Sequence, residues 1–451
     1  MPDLDQQLRA YFDALADDVV QRVGPDGHLR SSAAASRRPG RRRSALAVAA
    51  LVVVVVITIV AVRVNDARHD GRYPRVTVVG PKPSVSTTVV VTPAVISGTW
   101  KTLLTTAAPA EEFEPYAVAL DDDRVLVLFL ENGGNDVSGE IIHLAPWRAT
   151  PIAASPLQWR AFALVGWTGS EVVVAGGSNG PGIDAVGAAY NPAANSWRRI
   201  SAPPGFVPGR SENQIVGPGV WTGTELLSWQ SRLAYDPAHD SWRTIAAAPF
   251  APRTDETVVA TPQGVLVWGG CDSTRVPNCD DSRTGAFADG ALYGLNTNTW
   301  RMVPAGPLRG GVGTMSVWAP RRGEVIIVVP DPADPNGPSV AAFDPETERW
   351  RTLADLPHDA GTAGGALVWT GTHAVVWGGY AHGISSPEIE RGFALDPDAR
   401  RWSALTPGGG ARRGHTAIWT AHGLLVVGGG PTAAAALFTP ATDALGAVES
   451  P

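Results

Sequence analysis

A short pattern that returns about every fifty residues limits this chain more than any other feature. Residues 364–405, GGALVWTGTHAVVWGGYAHGISSPEIERGFALDPDARRWSAL, read as four brief strands. An apolar run meets a Thr-Gly-Thr turn, a second run ends in a glycine pair, and a third and a fourth flank an Asp-Pro hairpin. Short β-branched and aromatic runs bounded by Gly, Pro and Asp are strand signals. The second run with its glycines recurs at 171–177, 264–270, 373–379 and 424–430, with degenerate copies at 124–130, 225–231 and 324–330. The hairpin recurs at 190–197, 235–242, 343–350 and 395–402, and at 293–300 without its Asp-Pro. Its tryptophans, counted from Trp147, fall at 147, 197, 242, 300, 350 and 402, so the spacings are 50, 45, 58, 50 and 52. One such unit cannot bury both faces of its sheet, so units must stack.

With a glycine pair closing the second strand and an aromatic seven residues before a tryptophan, this period resembles the Kelch repeat, the blade of galactose oxidase/Kelch-type β-propellers. The resemblance covers about 100–445 and implies an all-β, seven-bladed propeller. Seven second strands stand against six fourth strands, and the last block lacks a late tryptophan. The segment 97–103, SGTWKTL, looks like the missing strand and is expected to close the ring through Trp100. The rival is 444–448, where Leu445 lies seven residues after Phe438. The tryptophans read as packing between blades, each burying roughly 150–250 Å².

The chain ahead of the repeats divides by composition. Residues 3–23 carry Leu4, Leu8, Tyr11, Phe12, Leu15, Val19 and Val23 at helical spacing, an amphipathic helix in a tail spanning 1–43. Residues 44–62 contain no charge and suffice for one membrane span. Arg37, Arg38, Arg41, Arg42 and Arg43 precede it, so the tail is expected to be cytoplasmic and the repeats extracytoplasmic. A cleaved signal peptide fits less well, because its apolar core is shorter. Residues 63–98, broken by Pro74, Pro81, Pro83 and Pro93, read as a stalk, and 99–448 as the propeller. The composition suggests a cell-envelope protein of a bacterium.

Net charge is −7, which offers nucleic acid no general attraction. The long irregular loops (178–184, 271–285, 331–338 and 380–390) join second to third strands, on the face where chains also lead into first strands. Length variation gathered on one face points to function there. The lead-ins carry Arg160, Arg210, Arg253, Arg309, Arg412 and Arg413. Three of these, Arg160, Arg253 and Arg412, stand sixteen residues before the first glycine of a pair (Gly176, Gly269, Gly428). The Kelch resemblance implies that such arginines line the mouth of the central channel, where guanidiniums would attract carboxylate, sulfate or uronate groups. The alternative is that each caps backbone carbonyls or pairs with a loop acid such as Asp272, Asp280, Asp331 or Glu388.

Cys271 and Cys279 are the only cysteines and are expected to form a disulfide outside the membrane. A galactose oxidase-type copper centre would need a fuller set than His358, His382, His415 and Tyr380 provide, and no metal or cofactor is expected. The reading is a membrane-anchored binding module for a glycan or protein ligand. Alternatives are a carbohydrate-active enzyme with Glu111, Glu112, Glu114, Glu388 or Glu390 as acid, and a signalling protein whose residues 3–23 engage a cytoplasmic partner.

Overall fold

The computed structural model describes residues 94–104, 115–130, 136–177, 187–207, 215, 219–272, 285–330, 338–361, 363–380, 387–430, 434–442 and 445–446. The tail helix, the span at 44–62 and the stalk up to residue 93 lie outside the described residues, as does Arg210.

Seven sheets form a ring of blades, each built on antiparallel strands, and in blades 1 to 5 the strands follow one another in space in chain order. Blade 1 begins with Tyr116–Ala119, blade 2 with Leu164–Trp167, blade 3 with Gly219–Trp221 and blade 4 with Thr254–Thr261. Blades 5, 6 and 7 begin with Met315–Ala319, Ala366–Trp369 and Thr416–Thr420. These first strands lie side by side around the centre, and that of blade 7 meets that of blade 1. Seven apolar clusters fill the seven junctions, each drawing residues from two adjacent blades. Second strands are sealed on both faces. Val172, Val173, Val174 and Ala175 are all 0 % exposed, which explains runs that are apolar at every position rather than at alternate ones.

Gly98–Leu104 pairs antiparallel with Ala434–Pro440, setting Trp100 against Phe438, so the N-terminal strand completes blade 7 as the missing tryptophan implied. Leu445, the rival, is buried at that junction without joining the sheet, and its carbonyl accepts from Thr370 and Thr372. The assigned stalk is too long at its C-terminal end. Ala94–Ile96 runs parallel to Arg401–Leu405 as a fifth strand of blade 6 before the chain crosses to blade 7. Three residues of backbone pairing on an open edge suffice for this, and they leave no alternating signature in sequence.

The tryptophans act between blades through their indole N–H. Trp197, Trp242, Trp300, Trp350, Trp402 and Trp100 each donate to a carbonyl of the preceding blade, at Ala153, Ser201, Ala246, Pro304, Ala354 and Thr406. Of the six fourth-strand tryptophans from 147 to 402, only Trp402 is fully buried. The others stand half-buried at the outer edge, so full-burial areas overstate their contribution. On the turn face, Arg198, Arg243 and Arg351 in fourth strands grip Glu171, Glu225 and Glu324 at the start of second strands. The regular turns there are occupied by structural ion pairs.

Candidate functional site

The opposite face carries the described lead-ins and the ends of the second strands. The shared register of Arg160, Arg253 and Arg412 becomes one repeated hydrogen bond. Nη1 donates to the carbonyl of Gly176 at 3.0 Å, of Gly269 at 2.9 Å and of Gly428 at 3.2 Å. These glycines hold φ near +70° (67°, 71° and 75°), which swings the strand out of its ladder and leaves a buried carbonyl needing a donor. All three arginines are nearly inaccessible, at 1 %, 2 % and 4 % exposure. Arg412 also donates to Ala434, Gly409 and Gly410, and Arg160 to Gln158. Burial, then the nearby Arg199, pushes the Arg160 guanidinium down to about 10, still charged at neutral pH. For these three, carbonyl capping is what the geometry shows.

The other lead-in arginines differ. Arg309 is exposed and donates to the Ala286 carbonyl at 3.0 Å. Arg413 is 40 % exposed, pairs with Glu388 at 2.8 Å and lies over the Tyr380 ring. His358 is exposed, and His382 lies outside the described residues. His415 is 5 % exposed, edge-on to Trp377 at 5.0 Å, and pushed down to about 3 by burial and then by Arg412. Among the described residues, no cluster of three or more His, Cys, Asp or Glu could hold a metal. Cys271 is buried where the second strand of blade 4 ends, and Cys279 lies outside the described residues.

Two features were missed by sequence reasoning. The first is a ring of left-handed backbone positions. Strand pairing, extended to the second position of each glycine pair, sets Phe162, Asp255, Gly313, Gly364 and Gly414 opposite Gly177, Gly270, Pro330, Gly379 and Gly429. Their φ values are 57°, 58°, 74°, 69° and 56°. Glycine meets this demand in blades 5, 6 and 7, but blade 2 places phenylalanine there and blade 4 aspartate. A non-glycine residue in this region costs on the order of 1–3 kcal/mol. Both residues are exposed, Phe162 at 73 %, although the Asp255 carboxyl itself is partly shielded.

The second feature is the cleft between blades 3 and 4. Blade 3 replaces the glycine pair with Gln230-Ser231, after Trp229. Glu256, on the lead strand of blade 4, is 8 % exposed, and its Oε1 accepts from Trp229 Nε1 at 2.7 Å and Gln230 Nε2 at 2.9 Å. Gln230 also donates to the Arg253 carbonyl at 3.1 Å. The corresponding residue in blade 2 is Ala163 and in blade 6 Gly365, so those two blades lack the carboxylate that here meets an amide. Burial, with Asp255 contributing, raises the Glu256 carboxyl above its ordinary range; burial also raises Asp255. The Arg253 guanidinium is held between Phe250 and Phe287, at 4.0 and 4.4 Å, and bonds to Asp289 at 3.2 Å. A lead-in alignment would have exposed Phe162 and Asp255 as breaks in a glycine column, whereas the Gln230–Glu256 pair joins residues 26 apart.

No protein-family model and no curated protein matches this chain.

Proposed function

We propose that the chain is a membrane-anchored, extracytoplasmic binding module whose propeller takes a ligand on the lead-in and 2–3 loop face. The repeat period, the glycine pairs and the Tyr…Trp hairpins support a place among Kelch-type propellers. The uncharged segment 44–62 with its preceding arginines supports anchoring with the tail in the cytoplasm and a bacterial envelope setting.

One observation carries the binding reading. Phe162 and Asp255 occupy positions where three other blades use glycine, and both are exposed on the loop face. Folding gains nothing from an exposed side chain that strains its own backbone, so the cost is consistent with a contact made elsewhere. Arg309 and Arg413, the partly or fully exposed lead-in arginines, flank the same face as further contacts. The anion preference drawn from six arginines rests on these two and on Arg210.

The test is a glycan array and a pull-down from envelope proteins with the full-length chain, repeated with Phe162→Gly and Asp255→Gly. A partner whose binding weakens while thermal stability holds or rises supports the reading. Unchanged binding by both variants, or a loss of stability, would return these residues to a structural role.

A further inference from the structure

The turn between the first and second strands of blade 6 departs from its repeats by serving a segment outside its own sheet. In blades 3, 4 and 7 the threonine that opens this turn caps it, its hydroxyl donating to the carbonyls of Glu225, Gly264 and Gly423 at 3.0, 2.8 and 2.9 Å. Thr370 instead donates to the carbonyl of Leu445, and Thr372 donates to the same oxygen at 2.9 Å. A hydroxyl has one hydrogen, so Thr372, having given it to Leu445, accepts from His373 Nδ1 at 2.8 Å. Thr370 is 0 % exposed and Gly371 is buried. In the matching turns of blades 2 and 3, Gly169 and Gly223 are exposed, with open space where a side chain would stand.

The segment received there has its own requirements. Leu445 is 1 % exposed and belongs to the apolar cluster of the junction between blades 6 and 7, with Val368, Leu424 and Phe438. Gly446 follows at φ 80°, and a Cβ on it would stand 2.8 Å from the Thr372 hydroxyl, so glycine alone fits. Neither residue joins a sheet.

We propose that the turn of blade 6 is a peptide-binding socket and that Leu445-Gly446 is a detachable strap filling it in cis. The class of ligand is a short peptide with leucine followed by glycine: an apolar hole takes the side chain, two hydroxyls take its carbonyl, and the next residue must be left-handed and bare. Among the described residues after Ala441, whose N–H donates to Ser97, one side chain and one carbonyl hold the strap. The strand that closes blade 7 is held by seven paired residues. A segment with so few contacts opens locally while the rest of the fold stays intact. The socket lies on the turn face, opposite the face of the binding reading above, and does not depend on that reading.

The experiment compares the full-length chain with one ending at Thr442, titrated calorimetrically with a synthetic peptide of residues 443–451. The shortened chain should bind the peptide and regain melting temperature as it does so. The full-length chain should bind tenfold to a hundredfold more weakly, because the peptide must displace the strap. Leu445→Asp in the peptide, or Thr370→Val in the shortened chain, should each weaken binding at least tenfold. If circular dichroism shows the shortened chain unfolded, full-length Leu445→Ala takes its place and should bind the peptide more tightly than the parent does. Equal binding by the full-length parent overturns the strap, and no binding by it overturns detachment. No binding by the strap-free chain, or indifference to Leu445 and Thr370, overturns the socket.

Discussion

Replacing Arg412 by alanine should unfold the propeller more readily without touching the exposed mouth. In the native ring its guanidinium donates to four carbonyls, at 3.2 Å to Gly428, 2.8 Å to Ala434, 2.7 Å to Gly409 and 3.3 Å to Gly410. Gly409 and Gly410 sit in a partly exposed lead-in, where water can take over, so their loss contributes little. Gly428 and Ala434 are buried, and each buried carbonyl left without a donor costs about 1–3 kcal/mol. Part of this is offset because the variant no longer has to bury the charge, whose desolvation lowers the Arg412 pKa. The expected loss is about 3 kcal/mol, from two orphaned carbonyls at about 1–3 kcal/mol each less the relieved desolvation. Urea unfolding followed by tryptophan fluorescence reads it, with Arg309→Ala as the exposed comparison, expected within about 0.5 kcal/mol of the parent. Arg412→Lys should fall between, since a single ammonium cannot span carbonyls that a planar fork reaches together. A loss below about 1 kcal/mol for Arg412→Ala, or a larger one for Arg309→Ala, would refute the capping argument. Weakened ligand binding at unchanged stability would restore Arg412 to an anion-binding mouth.

Deleting 97–104 strips Ala434–Pro440 of its partner along seven paired positions and should cause aggregation and an early melt, measured by light scattering on heating. Truncation before Leu445 should also lower the melting temperature, because that side chain is 1 % exposed and its carbonyl serves two threonines; an unchanged melt would show the contact is dispensable. His415 stays neutral when folded but takes a proton when unfolded, so stability is full above the ordinary histidine value of 6.5 and is lost as pH falls toward about 3. His415→Leu should flatten that decline in a pH series of urea melts, and an identical slope would remove His415 as its source. Phe162→Gly should leave stability unchanged or raise it by up to about 1 kcal/mol, the released strain of roughly 1–2 kcal/mol less the entropy of a new glycine. Protease added to intact cells should remove the propeller and spare residues 1–43, and the reverse pattern would invert the membrane orientation.

The propeller was legible because its signals are local and repeated. A glycine pair, an aromatic seven residues before a tryptophan and a turn between them lie within one blade, and repetition turned a weak pattern into a specific one. Closure by Trp100 followed from counting strands. Ala94–Ile96 was not legible, because its pairing depends on an edge some three hundred residues away and demands nothing of its side chains. The arginines show where register stops being informative. A guanidinium sixteen residues before a glycine can face a ligand or a carbonyl, and only burial separates the two. Gln230 and Glu256 looked like a degenerate repeat until the ring brought neighbouring blades together.

The N-terminal strand pair has a mechanical consequence. The chain enters the ring at Ala94, lies along the outer edge of blade 6, then crosses to complete blade 7. Tension applied from the N-terminal side therefore loads the ring's own seam before any internal strand. Three parallel pairs yield first and seven antiparallel pairs after them, and only then does the circle open. A tether placed elsewhere would pull on a blade already closed within itself. A pull applied ahead of Ala94 would therefore become a graded, two-step load on the integrity of the whole ring.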